Sequence, residues 1–362
     1  MSRGRKPVQL DGRTAVITGA GSGMGRALAQ LLSNRGCPVV ISDVNEDGLN
    51  ATEASIDGPI LARRLDVRDR DAQFELANEV REWSPAPLGA VFNNAGVTLS
   101  QTVADVTPED FEWIVDINFW GVVHGTQAYL PWLLEQDSGA VVNTSSVFGL
   151  IGWPTQATYN ATKFAVRGFT ESLRHELRET GVTAVSVHPG GVATSIVRNA
   201  RFHVDDRGGT SQETLQRDFE RVARLSPDRA AQIIVKGVER GNERIRVGAD
   251  AVVTDVLQRI APRRYFDVVK RLEPLLRRPA ESAPAEADVS AARSGDRCAT
   301  RSKSRCRVSR LRPPRSSTWK RAFRTMLVAT PPGCTTTALT PVPRSSCRRA
   351  SVNPRTANFV AL

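Results

Sequence analysis

The chain has 362 residues, 40% of them hydrophobic, which is enough to bury the core of one full domain. Its formal net charge of +11 comes from residues 280–362, where sixteen Lys and Arg stand against four Asp and Glu, so residues 1–279 are nearly neutral at −1. The excess of basic residues therefore does not indicate that residues 1–279 bind nucleic acid. Cys37 is the single cysteine before residue 280, which argues against disulfides and for a cytoplasmic location.

The N-terminal segment has the order strand, glycine turn, helix. The β-branched run Thr14–Thr18 predicts a strand, and residues 26–32 have the pattern of an amphipathic helix. Between them, glycines at the spacing Gly19-x-x-x-Gly23-x-Gly25 let backbone N–H groups approach a pyrophosphate at a helix N-terminus. In this context the turn predicts a dinucleotide-binding loop, with an ordinary loop as the alternative.

A second predicted strand, residues 38–42, leads to Asp43, eighteen residues after Gly25. A carboxylate at this place accepts hydrogen bonds from the ribose 2′-hydroxyl of NAD and repels the 2′-phosphate of NADP. The nearest basic residue to the loop is Arg26, just beyond it, and none directly follows Asp43. NAD is therefore favoured over NADP, with a solvated carboxylate at a strand end as the alternative.

Strands and helices alternate through the next two hundred or so residues. Further strands are predicted at 60–65, 90–92, 140–144, 183–187 and 244–247, and helices at 70–83, 111–134, 158–179, 212–223 and 229–240. This alternation predicts an α/β fold, with a single Rossmann-like, doubly wound parallel sheet in a three-layer α/β/α domain over residues 8–250.

The pattern richest in chemistry is Tyr159-x-x-x-Lys163, with Ser146 thirteen residues upstream. Positions i and i+4 share a helix face, so the Lys163 ammonium is expected to lower the pKa of the Tyr159 phenol from its usual value of about 10. Such a phenol exchanges a proton with an alcohol or a carbonyl oxygen. A lone Tyr-x-x-x-Lys is more often an ordinary pair on a helix surface, so the catalytic interpretation depends on the other motifs.

These motifs, in this order, resemble the short-chain dehydrogenase/reductase family through most of the first 250 residues. The resemblance implies a catalytic set of Asn118, Ser146, Tyr159 and Lys163. In it Ser146 holds the substrate oxygen, Lys163 also bonds the nicotinamide ribose, and Asn118 holds a water beside Lys163. The implied cofactor site consists of Thr18, Gly19, Ser22, Gly23, Met24, Gly25, Asp43, Asp66, Val67, Asn94, Ala95, Gly96, Tyr159, Lys163, Pro189, Gly190, Val192 and Thr194. The interval to Tyr159 selects Ser146 over Ser145, which is expected to be structural, and no metal site is expected.

The predicted activity is the NAD(H)-preferring interconversion of a moderately hydrophobic secondary alcohol and its carbonyl compound, with Tyr159 as general acid/base. An apolar wall of Val97, Phe148, Trp153 and Ile196 is expected beside Ser146 and Tyr159, although large apolar residues are also ordinary core. The resemblance implies a substrate lid at about 195–226 and a homodimer or homotetramer. An NADPH-dependent carbonyl reductase, and a catalytically silent nucleotide-sensing or partner-binding protein, remain alternatives.

The C-terminal part divides at residue 280. Residues 251–279 predict a basic amphipathic helical segment with Val252, Val253, Val256, Leu257 and Ile260 on one face. Two interpretations stay open for it: packing against a partner subunit or the domain edge, which is favoured, and contact with a membrane surface. Neither a signal peptide nor a transmembrane helix is expected, because no apolar stretch follows the basic N-terminus and no run of about 18 apolar residues occurs.

Residues 280–362 form a tail rich in Arg, Ser and Pro, for which disorder is predicted. It contains Cys298, Cys306, Cys334 and Cys347. We favour the interpretation that it has no evolved function. The alternatives are polybasic contact with nucleic acid or an anionic membrane, and metal binding by cysteines, whose spacing is not C-x-x-C.

Overall fold

The computed structural model describes residues 7–204 and 208–276, so the predicted tail at 280–362 and its cysteines lie outside the described residues. The strands are β1 (Thr14–Thr18), β2 (Val39–Asp43), β3 (Ile60–Arg64), β4 (Leu88–Asn93), β5 (Leu99–Ser100), β6 (Gly139–Thr144), β7 (Val182–Pro189), β8 (Arg201–Phe202) and β9 (Arg244–Val247). The helices are α1 (Gly23–Ser33), α2 (Glu46–Glu53), α3 (Arg70–Trp83), α4 (Pro108–Val115), α5 (Gly121–Glu135), α6 (Ala157–Glu176), α7 (Gln212–Val222), α8 (Pro227–Glu239), α9 (Ala249–Ile260) and α10 (Tyr265–Leu276). A π-helical turn (Asp116–Trp120) joins α4 to α5, and 3₁₀ turns lie at Val147–Gly149 and Leu177–Glu179.

The main sheet confirms the predicted Rossmann-like, doubly wound fold. Its seven strands have the order β3-β2-β1-β4-β6-β7-β9, and every pairing is parallel. The chain runs outward from β1 in one direction and then returns to β4 to run in the other. The order reverses between β1 and β4, and the carboxyl ends of these two strands border the crevice where such sheets bind ligands.

Helices cover both faces of the sheet, which gives the predicted three layers. Val16 and Ile17, neighbours in β1, belong to opposite apolar clusters because successive side chains of a strand point to opposite faces. On one face the cluster includes Leu28 of α1 and Ile234 of α8, and on the other Leu133 of α5. The central strands are buried on both sides, so they read as continuous apolar runs.

The helix predicted over residues 111–134 is interrupted. The π-helical turn Asp116–Trp120 shifts the hydrogen-bond pattern, with the Gly121 N–H donating to the Asp116 carbonyl. This turn directs Asn118 inward, where its side chain is fully buried. π-helical turns occur frequently at functional sites, and apolar periodicity continues through this one, so the sequence carries no trace of it.

The helical segment predicted at 251–279 consists of two helices within the described residues. Ala261, which precedes Pro262, is non-helical and ends α9, as the steric restriction before proline requires. The face predicted to be covered is open in this chain, since Val252, Val253, Val256 and Ile260 are 40 to 77% exposed. Coverage of that face by a partner or by a membrane remains a prediction.

A short pair of parallel strands lies outside the main sheet and was not predicted. Leu99 of β5 pairs with Arg201 of β8, and Ser100 pairs with Phe202. The pair ties the first part of the predicted lid to the segment after β4. Helix α7 spans most of the stretch predicted as helical in that lid. Among the described residues, no helix combines the length and apolar character needed to cross a bilayer.

Candidate functional site

The turn after β1 has two positions that only glycine can occupy. Gly19 has φ +68°, and a Cβ there would lie 2.7 Å from the Cα of Ala95. A Cβ on Gly25 would overlap the carbonyl oxygen of Gly19. Helix α1 begins in this turn at Gly23, and the Ser22 side chain does not cap its first-turn N–H groups. These donors and the helix dipole fit a pyrophosphate group, so the turn is suited to a dinucleotide.

The ends of β1 and β4 are linked through Thr18. Its hydroxyl oxygen accepts the backbone N–H groups of Asn94 and Ala95, each at 3.1 Å. The Asn94 amide in turn donates to the Thr18 carbonyl at 3.1 Å. Beyond this link, a Cβ on Gly96 would lie 3.2 Å from the Lys163 Nζ. The structure therefore brings the predicted cofactor residues of both strand ends to one crevice, beside the predicted catalytic lysine.

Asp43 lies at the end of β2, against the glycine turn. Its carboxylate accepts the N–H of Gly21 at 2.8 Å and the N–H of Asn45 at 2.9 Å. The Arg26 guanidinium donates to the Gly21 carbonyl at 2.5 Å and to the Thr52 hydroxyl at 2.9 Å, so it braces the turn against α2. The sequence interpretation overlooked a second arginine, Arg64, which stands in register with Asp43 on the neighbouring strand β3.

Three other predicted cofactor residues, Asp66, Val67 and Met24, make contacts with other parts of the chain. Asp66 forms an ion pair with Arg68, and the hydrogen bonds from that guanidinium hold the pKa of Asp66 below its usual value. Its carboxylate is therefore already engaged within the chain. A Cβ on Gly121 would lie 2.8 Å from the buried side chain of Val67, which leaves room only for glycine there. Met24 packs against the core beneath α1.

The segment after β7 returns to the glycine turn. A Cβ on Gly23 would lie 3.1 Å from the Thr194 side chain, and the hydroxyls of Ser22 and Ser195 are 2.9 Å apart. Val192 is buried, and a side chain on Gly190 would overlap the Asp250 carboxylate. The predicted cofactor residues after β7 therefore lie beside the glycine turn, and their contact with the cofactor stays a prediction.

Asn118 joins three parts of the site. Its Oδ1 accepts the Val97 N–H at 2.8 Å, and its Nδ2 donates to the Val97 carbonyl at 2.9 Å and to the Thr162 hydroxyl at 3.2 Å. Thr162 donates to the Tyr159 carbonyl at 2.8 Å. Asn118 thus ties the loop after β4 to helix α6. Its implied task of holding a water stays a prediction.

Ser146, Tyr159 and Lys163 meet where β6 ends and α6 begins. The Ser146 side chain lies close enough to Tyr159 to act on the pKa of the phenol, and its hydroxyl oxygen accepts the Phe148 N–H at 3.1 Å. Lys163 Nζ donates to the Thr144 carbonyl at 3.0 Å. Ser145 is structural, as predicted, because its hydroxyl donates to the Lys163 carbonyl at 2.7 Å.

Burial controls the protonation of this pair. It raises the pKa of Tyr159 to about 12, and the hydrogen bond with Ser146 opposes that rise. It lowers the pKa of Lys163 to about 8. The prediction that Lys163 brings the phenol below its usual pKa is wrong for this structure. Lys163 Nζ is 5.7 Å from the centre of the Tyr159 ring, and loss of hydration disfavours both charged forms.

His188, which the sequence interpretation missed, forms a hydrogen bond with the backbone of Ser146. The fully buried imidazole donates from Nδ1 to the Ser146 carbonyl at 3.0 Å, since a carbonyl can only accept. Nε2 then accepts from the Ser186 hydroxyl at 2.9 Å, so both contacts fit the neutral ring. The signal was available, because His188 directly precedes Pro189 and Gly190 at the end of a predicted strand.

The neutral state of His188 predicts a pH dependence of stability. Burial lowers its pKa from 6.5 to about 4, with Arg244 and Arg167 acting in the same direction. The unfolded chain therefore takes up this proton below about pH 6.5 and the folded protein only near pH 4, so the free energy of unfolding falls by about 3 kcal/mol across that window. Denaturant unfolding of the wild type and His188→Gln at pH 7 and pH 4.5 measures it. A pH-dependent loss of equal size in both proteins would contradict the assignment.

The predicted apolar wall is assembled around Tyr159. Val97, Phe148 and Ile196 pack against a small apolar cluster of Leu99, Ile114 and Tyr159 that is separate from the two faces of the sheet. Trp153 joins through Phe148, with ring centres 6.1 Å apart. Three of the four predicted wall residues therefore pack against the cluster that contains Tyr159, and the fourth, Trp153, contacts Phe148.

Comparison with known proteins gives consistent results. The sequence model of the short chain dehydrogenases matches residues 13–204. A putative oxidoreductase SadH of Mycobacterium tuberculosis is 44% identical over 266 residues, which cover 72% of this chain and 95% of that protein. A short-chain dehydrogenase/reductase from Burkholderia phymatum, solved in complex with NAD, has a TM-score of 0.62 at 28% identity, with 76% of this chain and 98% of that one covered. The closed form of a serine dehydrogenase complexed with NADP+ has a TM-score of 0.54 at 26% identity, with coverage of 60% and 86%.

Proposed function

Because this chain belongs to the short-chain dehydrogenase/reductase family, an NAD(P)-dependent family that acts on CH–OH groups, we propose that it interconverts a moderately hydrophobic secondary alcohol and its ketone with NAD(H), using Tyr159 as general acid/base. One observation carries the proposal: the hydroxyls of Ser146 and Tyr159 and the Lys163 ammonium converge in a buried site beside a turn that fits a dinucleotide. A protein that only bound nucleotides would have no need of this proton-transfer set.

The protein's part in the reaction follows from its protonation states. Hydride transfer is the chemistry that a bound nicotinamide supplies. With a pKa of about 12, the Tyr159 phenol is neutral at pH 7 and is ready to donate its proton to a carbonyl oxygen. The Ser146 hydroxyl places that oxygen, and the nearby Lys163 ammonium favours the phenolate that the transfer leaves behind. Oxidation of an alcohol uses the same groups in reverse.

NADP(H) dependence is the second candidate, and one observation favours it. Arg64 stands in register with Asp43 and is exposed, so a cation is present near the place where a 2′-phosphate would lie. One structural neighbour is complexed with NADP+. We still prefer NAD(H), because the carboxylate of Asp43 contacts the glycine turn itself and Arg26 is engaged within the chain.

The proposal is tested by turnover of the full-length protein with secondary alcohols of increasing apolar size. NAD+ and NADP+ are supplied separately, and formation of reduced nicotinamide is followed by its absorbance. We expect turnover with NAD+ to exceed turnover with NADP+ and to rise with the apolar size of the alcohol. Nucleotide binding without turnover of any alcohol or ketone would instead support a silent binding protein, and faster turnover with NADP+ would support the second candidate.

A further inference from the structure

A line of aromatic rings connects the proposed general acid/base with the C-terminal helix α10. Phe148 meets Tyr159 edge-on, with ring centres 6.1 Å apart, and stacks on Trp153 at 6.1 Å. Trp153 in turn meets Phe266 of α10 at 5.3 Å in a T-shaped arrangement. Aromatic pairs at these separations attract one another beyond the effect of area burial. The apolar wall predicted from the sequence therefore extends onto a helix that was not assigned to the site.

Tyr265, the first residue of α10, holds the helix against this wall. Its phenol oxygen accepts the Gly152 N–H at 3.1 Å and donates to the Gly152 carbonyl at 3.2 Å. Gly152 directly precedes Trp153, so these bonds hold Trp153 and Phe266 in contact. Lys270, one helical turn after Phe266, lies with its Nζ 5.1 Å from the Trp153 ring centre. These contacts fix the position of α10 beside the wall.

The contacts of α10 differ from those of the preceding helix. Helix α9 leaves Val253 and Ile260 more than half exposed, whereas α10 directs its aromatic residues toward the wall. Phe148, Trp153 and Phe266 are each only half-buried, so their rings retain accessible apolar surface. Half-exposed rings beside a buried acid/base group offer a surface for the apolar part of a substrate.

We propose that α10 forms the outer end of the substrate site, and that Phe266 with Trp153 selects substrates carrying an aryl group a few bonds from the reacting carbon. The proposal rests on the proposed function, since the reacting carbon is the one whose oxygen exchanges a proton with Tyr159. Small ketones would contact only the inner part of the site. A phenyl group would add contact with the outer rings, and one aromatic pair corresponds to as much as about tenfold in affinity.

The test is equilibrium binding of 4-phenyl-2-butanone and 2-butanone to the full-length protein, followed by ligand-observed NMR with NAD+ present. Because ketones are not reduced when only the oxidised cofactor is present, affinity is measured without turnover. We expect Phe266→Ala to weaken 4-phenyl-2-butanone binding about tenfold and to leave 2-butanone binding unchanged. Phe266→Leu keeps apolar volume without the ring, and we expect a smaller loss in the same direction.

The matched control is Phe74→Ala on α3, where the ring lies 4.5 Å beneath the Arg70 guanidinium and takes no part in the line of rings. It should leave the binding of both ketones unchanged. Equal loss of both ketones in Phe266→Ala, no loss of the aryl ketone, or no binding of the aryl ketone to the wild type would overturn the inference. Oxidation of 4-phenyl-2-butanol by the wild type is measured in parallel. Turnover with unchanged selectivity in Phe266→Ala refutes the inference alone, whereas selective binding without turnover refutes the proposed function alone.

Discussion

Tyr159→Phe is expected to lower kcat by about 10²- to 10⁴-fold, the contribution typical of a positioned general acid or base. The substitution removes only the hydroxyl that exchanges the proton with the substrate, and it keeps the ring that packs against Phe148. The affinity for NADH should stay near that of the wild type, because the glycine turn and Asp43 are untouched. Steady-state turnover and fluorescence titration with NADH measure the two effects.

Tyr129→Phe is the matched control for this experiment. Tyr129 is buried in the core, and its hydroxyl has no hydrogen-bond partner. Burial raises the pKa of this phenol too, yet it belongs to the apolar cluster on one face of the sheet, whereas Tyr159 belongs to a separate cluster. Turnover should be unchanged and the free energy of unfolding equal or higher, because an unsatisfied buried group is removed. Wild-type turnover in Tyr159→Phe would refute the proposed mechanism.

The fold could be predicted closely because its elements carry local signals. Strand β1, helix α3 and strand β9 have the bounds that the sequence pattern predicts. Helix α3 begins after Asp69, whose carboxylate accepts the Ala72 N–H and caps the helix. Parallel strands buried on both faces are continuous apolar runs, and the alternation of these runs with helical patterns was sufficient to predict a parallel, doubly wound sheet.

The features that could not be predicted from the sequence depend on contacts between residues that are distant along the chain. The i, i+4 spacing places Lys163 on the same face as Tyr159, but it does not show that both are buried, and burial reverses the expected direction of the phenol's pKa shift. The inward turn of Asn118 depends on a shift of backbone hydrogen bonds that leaves apolar periodicity intact. The contact between Phe266 and Trp153 joins residues more than a hundred positions apart, so neither sequence neighbourhood indicates it.

The same limit explains why cofactor preference needs an experiment. Asp43 is visible in the sequence at the distance that favours NAD, whereas Arg64 becomes its neighbour only through the register of β2 with β3. The two side chains have opposite consequences for a 2′-phosphate, since one repels it and the other attracts it. The carboxylate is nearer the turn, because it accepts the Gly21 N–H directly.

Asp43→Asn is therefore expected to shift the ratio of NADH to NADPH affinity by about 10- to 100-fold toward NADPH, the range for loss of hydrogen bonds to a charged group. The amide keeps the size of the side chain and an oxygen for the Gly21 N–H, while it gives up the bond from the Asn45 N–H, so the contact with the turn should be preserved while the repulsion disappears. Fluorescence titration of the full-length protein with each nucleotide measures the ratio. Asp47→Asn, the same change at an exposed position in the first turn of α2, should leave the ratio unchanged. An unchanged ratio in Asp43→Asn, together with loss of NADPH affinity in Arg64→Ala, would show that Arg64 and not Asp43 determines the cofactor.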